Sequence, residues 1–349
     1  MKVSVIAFST KGCETALKVK GAFPDDDVEI CAKTRMEDTL GLPKTELSTH
    51  DWTGKAFGDS SVIVFVGAIG IAVREIAPFV TRKDKDPAVI GIDELGHFVV
   101  PLLSGHIGGA NRYAVEIARI VGAQPVVTTA TDINGKISID AWAVRNGLAV
   151  YNLPGIKAVS SAVLEGKPVG LISDFDIDGE PPKELTGPDD ADIGVVISYD
   201  TESRPFRETL HLVPKSIVAG VGCKRGTSEE AIGNAVKDAF DKAGFPLLAL
   251  RSIASIDLKK DEAGLISYAA SRRVPFVVYS SEELNAVPGE FTPSGFVSSV
   301  TGTDNVCERS AAKASENGKM ILRKQAGNGV TVALAEAPIR ISFDRGNPI

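Results

Sequence analysis

From residue 2 to residue 129, short runs of β-branched and apolar residues alternate with stretches whose apolar side chains recur at helical spacing. That alternation restricts the chain to an α/β architecture with a mostly parallel sheet. Segments 2–8, 28–32, 61–67, 88–93, 98–102 and 124–129 read as strands, and 61–67 is apolar enough to be buried on both faces. Helices are expected over 13–20, 68–79 and from Asn111 to a stop at Gly122, glycine being common just past a helix C-terminus. Segments 174–192 and 201–214 read as a boundary or surface insertion. A new unit starts at Lys215, with strands at 217–221 and 275–279 and helices at 229–243 and 304–315. Residues 319–323 and 330–336, joined through Gly327-Asn328-Gly329, read as a closing hairpin. The expected fold class is α/β, with mostly parallel sheets flanked by helices and a separate C-terminal α/β domain. The segments are 1–135, 136–214 and 215–349.

Charge and composition exclude several classes. With 38 Lys and Arg against 45 Asp and Glu, the net charge of −7 argues against nucleic acid. The strongly apolar stretch 62–73 ends at Arg74, short of the roughly 20 residues a spanning helix needs. No membrane association is expected. Cys13, Cys31, Cys223 and Cys307 form no C-x-x-C pair, which suggests free thiols in a reducing cytoplasm. His50, His97, His106 and His211 are far apart, so no protein-bound metal is expected.

The run from Pro101 to Asn111 sets Ser104, His106 and Asn111 among Gly105, Gly108 and Gly109, directly before an amphipathic stretch. A Gly-rich loop opening a helix can present amide N–H groups to an anion. His106 could act as acid or base near neutral pH, or only orient the loop. Ser104 lacks the G-x-S-x-G context of a hydrolytic nucleophile and reads as structural. Asn111 would cap the helix or hold substrate, and the Gly108 and Gly109 amides could stabilise an oxyanion. Asp93, Glu94 and His97 make a second polar cluster at a strand end. Thr128 to Asp132 makes a third, in which Asp132 could orient an imidazole or serve as base. Turn formation explains each of these as well. Arg74, Arg82, Lys83 and Lys85 could pair with carboxylates or simply solvate a face.

In the C-terminal part, Gly220 to Gly226 departs from G-x-G-x-x-G at its close, so a nucleotide reading is weak. Lys224 and Arg225 beside that loop suit a carboxylate. Cys223, near a helix start and these two cations, is expected to have a lowered thiol pKa. Cys223 and Cys307 also fit as small buried residues.

Taken together, Asp93 to His97, Pro101 to Asn111 and Val127 to Asp132 closely resemble the cobalt-precorrin-5A hydrolase family of anaerobic cobalamin biosynthesis. Val66 to Gly70 with Arg74 and Pro78 fits the same pattern. Gly220 to Ser228 and Thr301 to Glu308 resemble that family's C-terminal domain. The resemblance implies an enzyme that opens the ring A lactone of a cobalt-bearing tetrapyrrole and releases acetaldehyde, giving cobalt-precorrin-5B. It implies that cobalt enters with the substrate, so the protein needs no cofactor. The partner is then this small molecule, with room for a homodimer. The substrate's acetate and propionate groups would meet Gly-rich loops and cations in both halves.

Roles follow from chemistry on those motifs. His106 or His97 would activate water or move a proton, with Glu94 or Asp132 assisting. Substrate binding would fall to Arg74, Ser104, Gly105, Gly108, Gly109, Asn111, Thr129, Cys223, Lys224, Arg225, Thr303 and Glu308. A non-catalytic carrier of a tetrapyrrole intermediate would use the same loops without an acid or base.

Overall fold

The computed structural model describes residues 1–82, 85–293 and 302–344. It divides into two compact units. One comprises Met1–Trp142 with Val163–Glu165, and the other Ala143–Ala162 with the described residues from Gly166 on.

The first unit is built on a six-stranded sheet. Its elements are β1 (Lys2–Ala7), α1 (Thr10–Val19), β2 (Asp27–Ala32), α2 (Thr49–Asp59), β3 (Val62–Val66), α3 (Ile69–Ile76), β4 (Ala88–Ile92), β5 (Phe98–Leu103), α4 (Ala110–Val121) and β6 (Gln124–Pro125). The short helices α5 (Ala130–Ile133) and α6 (Ile139–Arg145) follow. The sheet order is β2-β1-β3-β4-β5-β6. The pairs β1–β2, β1–β3 and β3–β4 are parallel. The pair β4–β5 is antiparallel, and β5–β6 is parallel again.

Every residue of β3 and β4 is buried, as expected of strands covered on both faces. One face packs Val3, Val5, Val64 and Ile90 with Ala114 and Ile117 of α4. The other packs Ile6, Ile63 and Phe65 with Trp52 of α2 and Ile76 of α3.

Several boundaries differ from the sequence reading. Helix α1 starts at Thr10 because the Ser9 hydroxyl caps it, accepting from the Gly12 N–H at 3.0 Å. Helix α3 is shorter than 68–79. The strand expected over 124–129 pairs only at its start. After Val126 N–H donates to the Val99 carbonyl at 2.8 Å, the chain leaves the sheet and enters α5. Asp132 therefore stands on a short helix and not at a strand end.

The second unit carries two five-stranded sheets. The first uses β7 (Leu148–Val150), β8 (Val169–Ser173), β10 (Leu185–Thr186), β11 (Ile193–Ile197) and β12 (Glu208–Pro214), with α7 (Leu153–Glu165) in the connection. The short β9 (Ile177–Asp178) pairs outside it with β18 (Ile341–Ser342). Segment 201–214 is thus more than a boundary. Leu210, Leu212 and Val213 of β12 are fully buried.

The second sheet has the order β15-β14-β13-β17-β16. Its strands are β13 (Ile217–Cys223), β14 (Leu250–Ile256), β15 (Phe276–Tyr279), β16 (Lys319–Gly327) and β17 (Val330–Glu336). Helices α8 (Glu229–Ala243), α9 (Ala263–Arg272), α10 (Ser281–Asn285) and α11 (Val306–Ala314) accompany it. The expected hairpin is present, and Asn328 (φ 49°) and Gly329 (φ 77°) make its left-handed turn. Helix α11 crosses β13 so closely that a Cβ on Gly220 would lie 1.9 Å from the Cys307 carbonyl oxygen. Backbone can yield little there, so Gly220→Ala should destabilise the protein by about 3 kcal/mol in urea unfolding. A variant within 0.5 kcal/mol of the parent, on the usual scale of tolerated surface changes, would show that this contact gives way.

Candidate functional site

The β4–β5 hairpin decides where the chemistry lies. Because β5 runs against β4, its carboxyl end returns to the amino end of β4, with Leu103 beside Val89. The Ser104 hydroxyl then donates to the Asp86 carbonyl at 3.0 Å. This ties the loop to the turn that carries Arg82 and Lys85.

His97 lies at the other end of the same strand. A strand rises roughly 3.3 Å per residue, so six-residue β5 holds His97 and His106 roughly 20 Å apart. The structure does not bring the two histidines together. His97 is 64% exposed and 3.6 Å from Asp93. Asp93 is occupied by the turn, accepting from the backbone N–H groups of Leu95, His97 and Phe98. Glu94 accepts from the Ser9 hydroxyl at 2.6 Å.

The 104–109 loop is tightly wound. Ser104 adopts a left-handed conformation (φ 57°), unusual for a residue with a Cβ. A Cβ on Gly108 would fall 2.4 Å from that of Ser104, and Gly109 ends the loop at φ 83°. Only glycine fits both positions. The loop carbonyls also turn back on the helix. Ala110 and Asn111 N–H groups donate to Ser104 and Gly105, and Gly109 N–H donates to His106, at 3.0–3.1 Å. The expected pair of free amides is therefore reduced, among the described residues, to that of Gly108.

This winding presents His106 between two carboxylates. Its Nε2 is 3.1 Å from Asp132 Oδ2, and its Nδ1 is 3.1 Å from Asp140 Oδ1. Asn111 donates to Asp132 at 2.9 Å and to Thr129 Oγ1 at 2.7 Å. Asp140 also accepts from the Ser138 hydroxyl at 2.8 Å and the Ala141 N–H at 3.1 Å. Asp140 was not anticipated. Its only sequence signal is an acid in the first turn of a short helix, which does not point to a histidine so far away in the chain.

Burial opposes a charge on His106, but hydrogen bonds and attraction from Asp132 and Asp140 outweigh it and raise its pKa to about 9. The same bond to His106 lowers the Asp132 pKa, against the effect of burial. At neutral pH the site holds an imidazolium, which can donate a proton or stabilise negative charge. Beside it opens a cavity of about 330 Å³ lined by Pro101 to Ile107, Asn111, Thr128, Thr129 and Asp140.

The remaining expected residues have settings of their own. Arg74 is exposed and donates to the Gly70 carbonyl at 3.2 Å. Lys83 and Thr301 lie outside the described residues. Lys224 and Arg225 are exposed on the loop after β13. Glu262, missed in the sequence, accepts from the Gly226 N–H at 2.7 Å and pairs with Lys259 at 3.0 Å. The Cys223 thiol has its pKa raised, not lowered, because burial outweighs the nearby cation. Cys307, which is fully buried where Cys223 is only partly so, has its pKa raised to about 11.

Thr303 is buried, and so is Glu308. The Glu308 carboxylate accepts from the Thr292 N–H and hydroxyl and from the Lys324 N–H at 2.8–2.9 Å. That knot joins α11 to β16. Among the described residues, no group of three or more His, Cys, Asp or Glu is arranged to hold a metal ion.

The chain matches three family descriptions in order. Residues 51–132 match the cobalamin synthesis G N-terminal region, 137–214 the cobalamin biosynthesis central region, and 217–335 the cobalamin synthesis G C-terminus. It is 35% identical to the cobalt-precorrin-5A hydrolase of Salmonella typhimurium over 81% of this chain and 84% of that one. The chain belongs to the cobalt-precorrin-5A hydrolase family. A second relative of that name, from Priestia megaterium, is 29% identical over 96% of this chain and 95% of its own. The loop around His106 lies within the N-terminal family match, whereas Asp140 comes from the central one.

Two outcomes follow for this family member. The His106 imidazole, followed by NMR, should titrate with a midpoint near 9, and Asp140→Asn should lower it. Because the folded pKa is raised, the stability this group contributes is complete below its ordinary 6.5. It is lost as pH rises through about 9. A midpoint near 6.5 would mean that the carboxylates do not engage the ring. Separately, Glu308→Ala should cost about 2 kcal/mol in chemical denaturation by removing the buried carboxylate that three part-buried donors share. An unchanged stability would return Glu308 to the list of substrate contacts.

Proposed function

We propose that this chain hydrolyses cobalt-precorrin-5A at the cavity beside His106. The carrying observation is the His106 ring held between the Asp132 and Asp140 carboxylates at 3.1 Å on each side, which keeps its proton on through the neutral range. A carrier needs no such charge, whereas the release of oxygen from a lactone does.

In net terms, water adds to the lactone carbonyl and the acyl carbon–oxygen bond breaks. The freed hydroxyl oxygen becomes the carbonyl oxygen of acetaldehyde when the carbon–carbon bond to the macrocycle breaks. The electron pair of that bond and one proton stay with the macrocycle. The positive charge of His106 stabilises negative charge on oxygen. In the free protein its Nε2–H is bonded to Asp132, so the proton passes to the leaving oxygen when that oxygen takes the place of the Asp132 carboxylate, which Asn111 steadies. Cobalt arrives with the substrate, and the chain itself supplies ring-binding loops and proton chemistry.

Among the described residues no helix is long and apolar enough to cross a membrane. We place the enzyme, which acts on a soluble polycarboxylate substrate, in the cytoplasm.

With purified cobalt-precorrin-5A, His106→Ala should lower the rate of acetaldehyde release by roughly 10²–10⁴-fold, the usual weight of acid–base catalysis. His97→Ala, on the far end of β5, should leave it within about twofold, too small a change for a group making acid–base catalysis. Full turnover by the His106 variant would end this assignment. Tight binding by the parent protein without any acetaldehyde would favour the carrier.

A further inference from the structure

A second cavity, of about 490 Å³, lies within the second unit and plays no part in the chemistry above. Arg145, Lys215, Arg251 and Arg340 line it, and Glu316 is its one acidic lining residue. Arg251 and Glu316 pair at 3.3 Å, so their charges largely offset. Lys215 and Arg340 make no ion pair or side-chain hydrogen bond among the described residues. Although Lys215 is exposed as a residue, desolvation and then the nearby Arg273 charge hold its ammonium below the usual lysine range. Positive charge in this cavity is therefore under-compensated.

The backbone around these cations is pinned. Lys215 N–H donates to the Gly147 carbonyl at 2.8 Å, which joins the segment after β12 to the turn before β7. On the opposite wall, residues 338–340 run between two anchors. Ala337 N–H donates to the Ser216 carbonyl at 2.8 Å. Ser342 is then gripped by Asn146, whose Oδ1 accepts from its N–H at 2.9 Å and whose Nδ2 donates to its carbonyl at 3.2 Å. Arg340 is thus carried on a strap fixed at both ends, facing the same cavity as Lys215. A merely solvated basic face would need neither the concavity nor the anchors.

We infer that this cavity is a binding site for a small polyanion bearing two or more carboxylate or phosphate groups. Guanidinium groups suit both oxyanions through paired N–H donors, and the lysine adds a point charge. The volume lies within the range of small-ligand pockets.

The test is isothermal titration calorimetry of the intact protein at low ionic strength, with sodium pyrophosphate in one arm and sodium citrate in the other. Saturable binding with a dissociation constant below about 1 mM is expected in at least one arm. Pyrophosphate alone would identify a phosphate ligand and citrate alone a carboxylate one. Binding of both supports the shared oxyanion chemistry. Lys215→Gln and Arg340→Gln, made singly and together, should each weaken binding, and together by at least about tenfold, the scale of losing a charge-assisted bond. Both side chains are exposed, so the variants should melt close to the parent, which a ligand-free thermal scan checks. No saturable heat in either arm, or binding by the folded double variant as tight as the parent's, overturns the inference.

Discussion

The direction of one strand governs the site. Had β5 continued the parallel order of β1, β3 and β4, its carboxyl end would have joined the edge where Glu94 and His97 lie. The antiparallel return sends it to the opposite edge, where β6 runs alongside it in the same direction. The loop after β5 and the segment after β6 therefore emerge together. Ligands gather outside the carboxyl ends of strands in open α/β sheets, and here that rule applies to β5 and β6. Asn111 at the head of α4 then bonds Thr129 and Asp132 beyond β6, which locks the two segments to each other.

That geometry sets the electrostatics. A lone buried imidazole would lose its proton readily, since burial disfavours the charge. One carboxylate would leave its second nitrogen to find another partner. Two carboxylates, one on each nitrogen, fix the ring orientation and keep the proton through the neutral range. Each carboxylate is itself steadied, Asp132 by Asn111 and Asp140 by Ser138 and the Ala141 N–H. The left-handed Ser104 and the glycines at 108 and 109 are the backbone's part of the arrangement. They let six residues turn tightly enough to bring His106 over the cavity.

Much of this was legible from the chain. Strand and helix periodicity placed the first sheet, the hairpin around Gly327-Asn328-Gly329 and the loop containing His106, because each depends on local spacing or turn chemistry. The direction of β5 was not legible. A short turn such as 93–97 permits an antiparallel return, but the apolar run after it looks the same in either direction. Without that direction, His97 and His106 seemed interchangeable. Asp140 was missed because its partner is distant in sequence. The Cys223 thiol was misjudged because nearby cations are visible in a sequence and burial is not. Glu308 raised the reverse problem: an acid at a helix start has the look of a ligand contact until its own burial and the donors around it are seen.

The size of the His106 cavity bears on how a macrocycle could be handled. At about 330 Å³ it is near the lower end of small-ligand pockets. On the proposed reading it takes one edge of the tetrapyrrole, the lactone of ring A, and leaves the rest of the ring outside. A pocket that encloses only the reacting edge can discriminate by the shape of that edge. It need not desolvate the many carboxylates around the rim, each of which would be costly to bury unpaired. Binding energy from those carboxylates is then free to come from exposed cations, while the buried imidazolium acts where charge develops. Such a division of labour explains why the charged pair of His106 and Asp132 is partly buried and constrained and most of the other cations are at the surface.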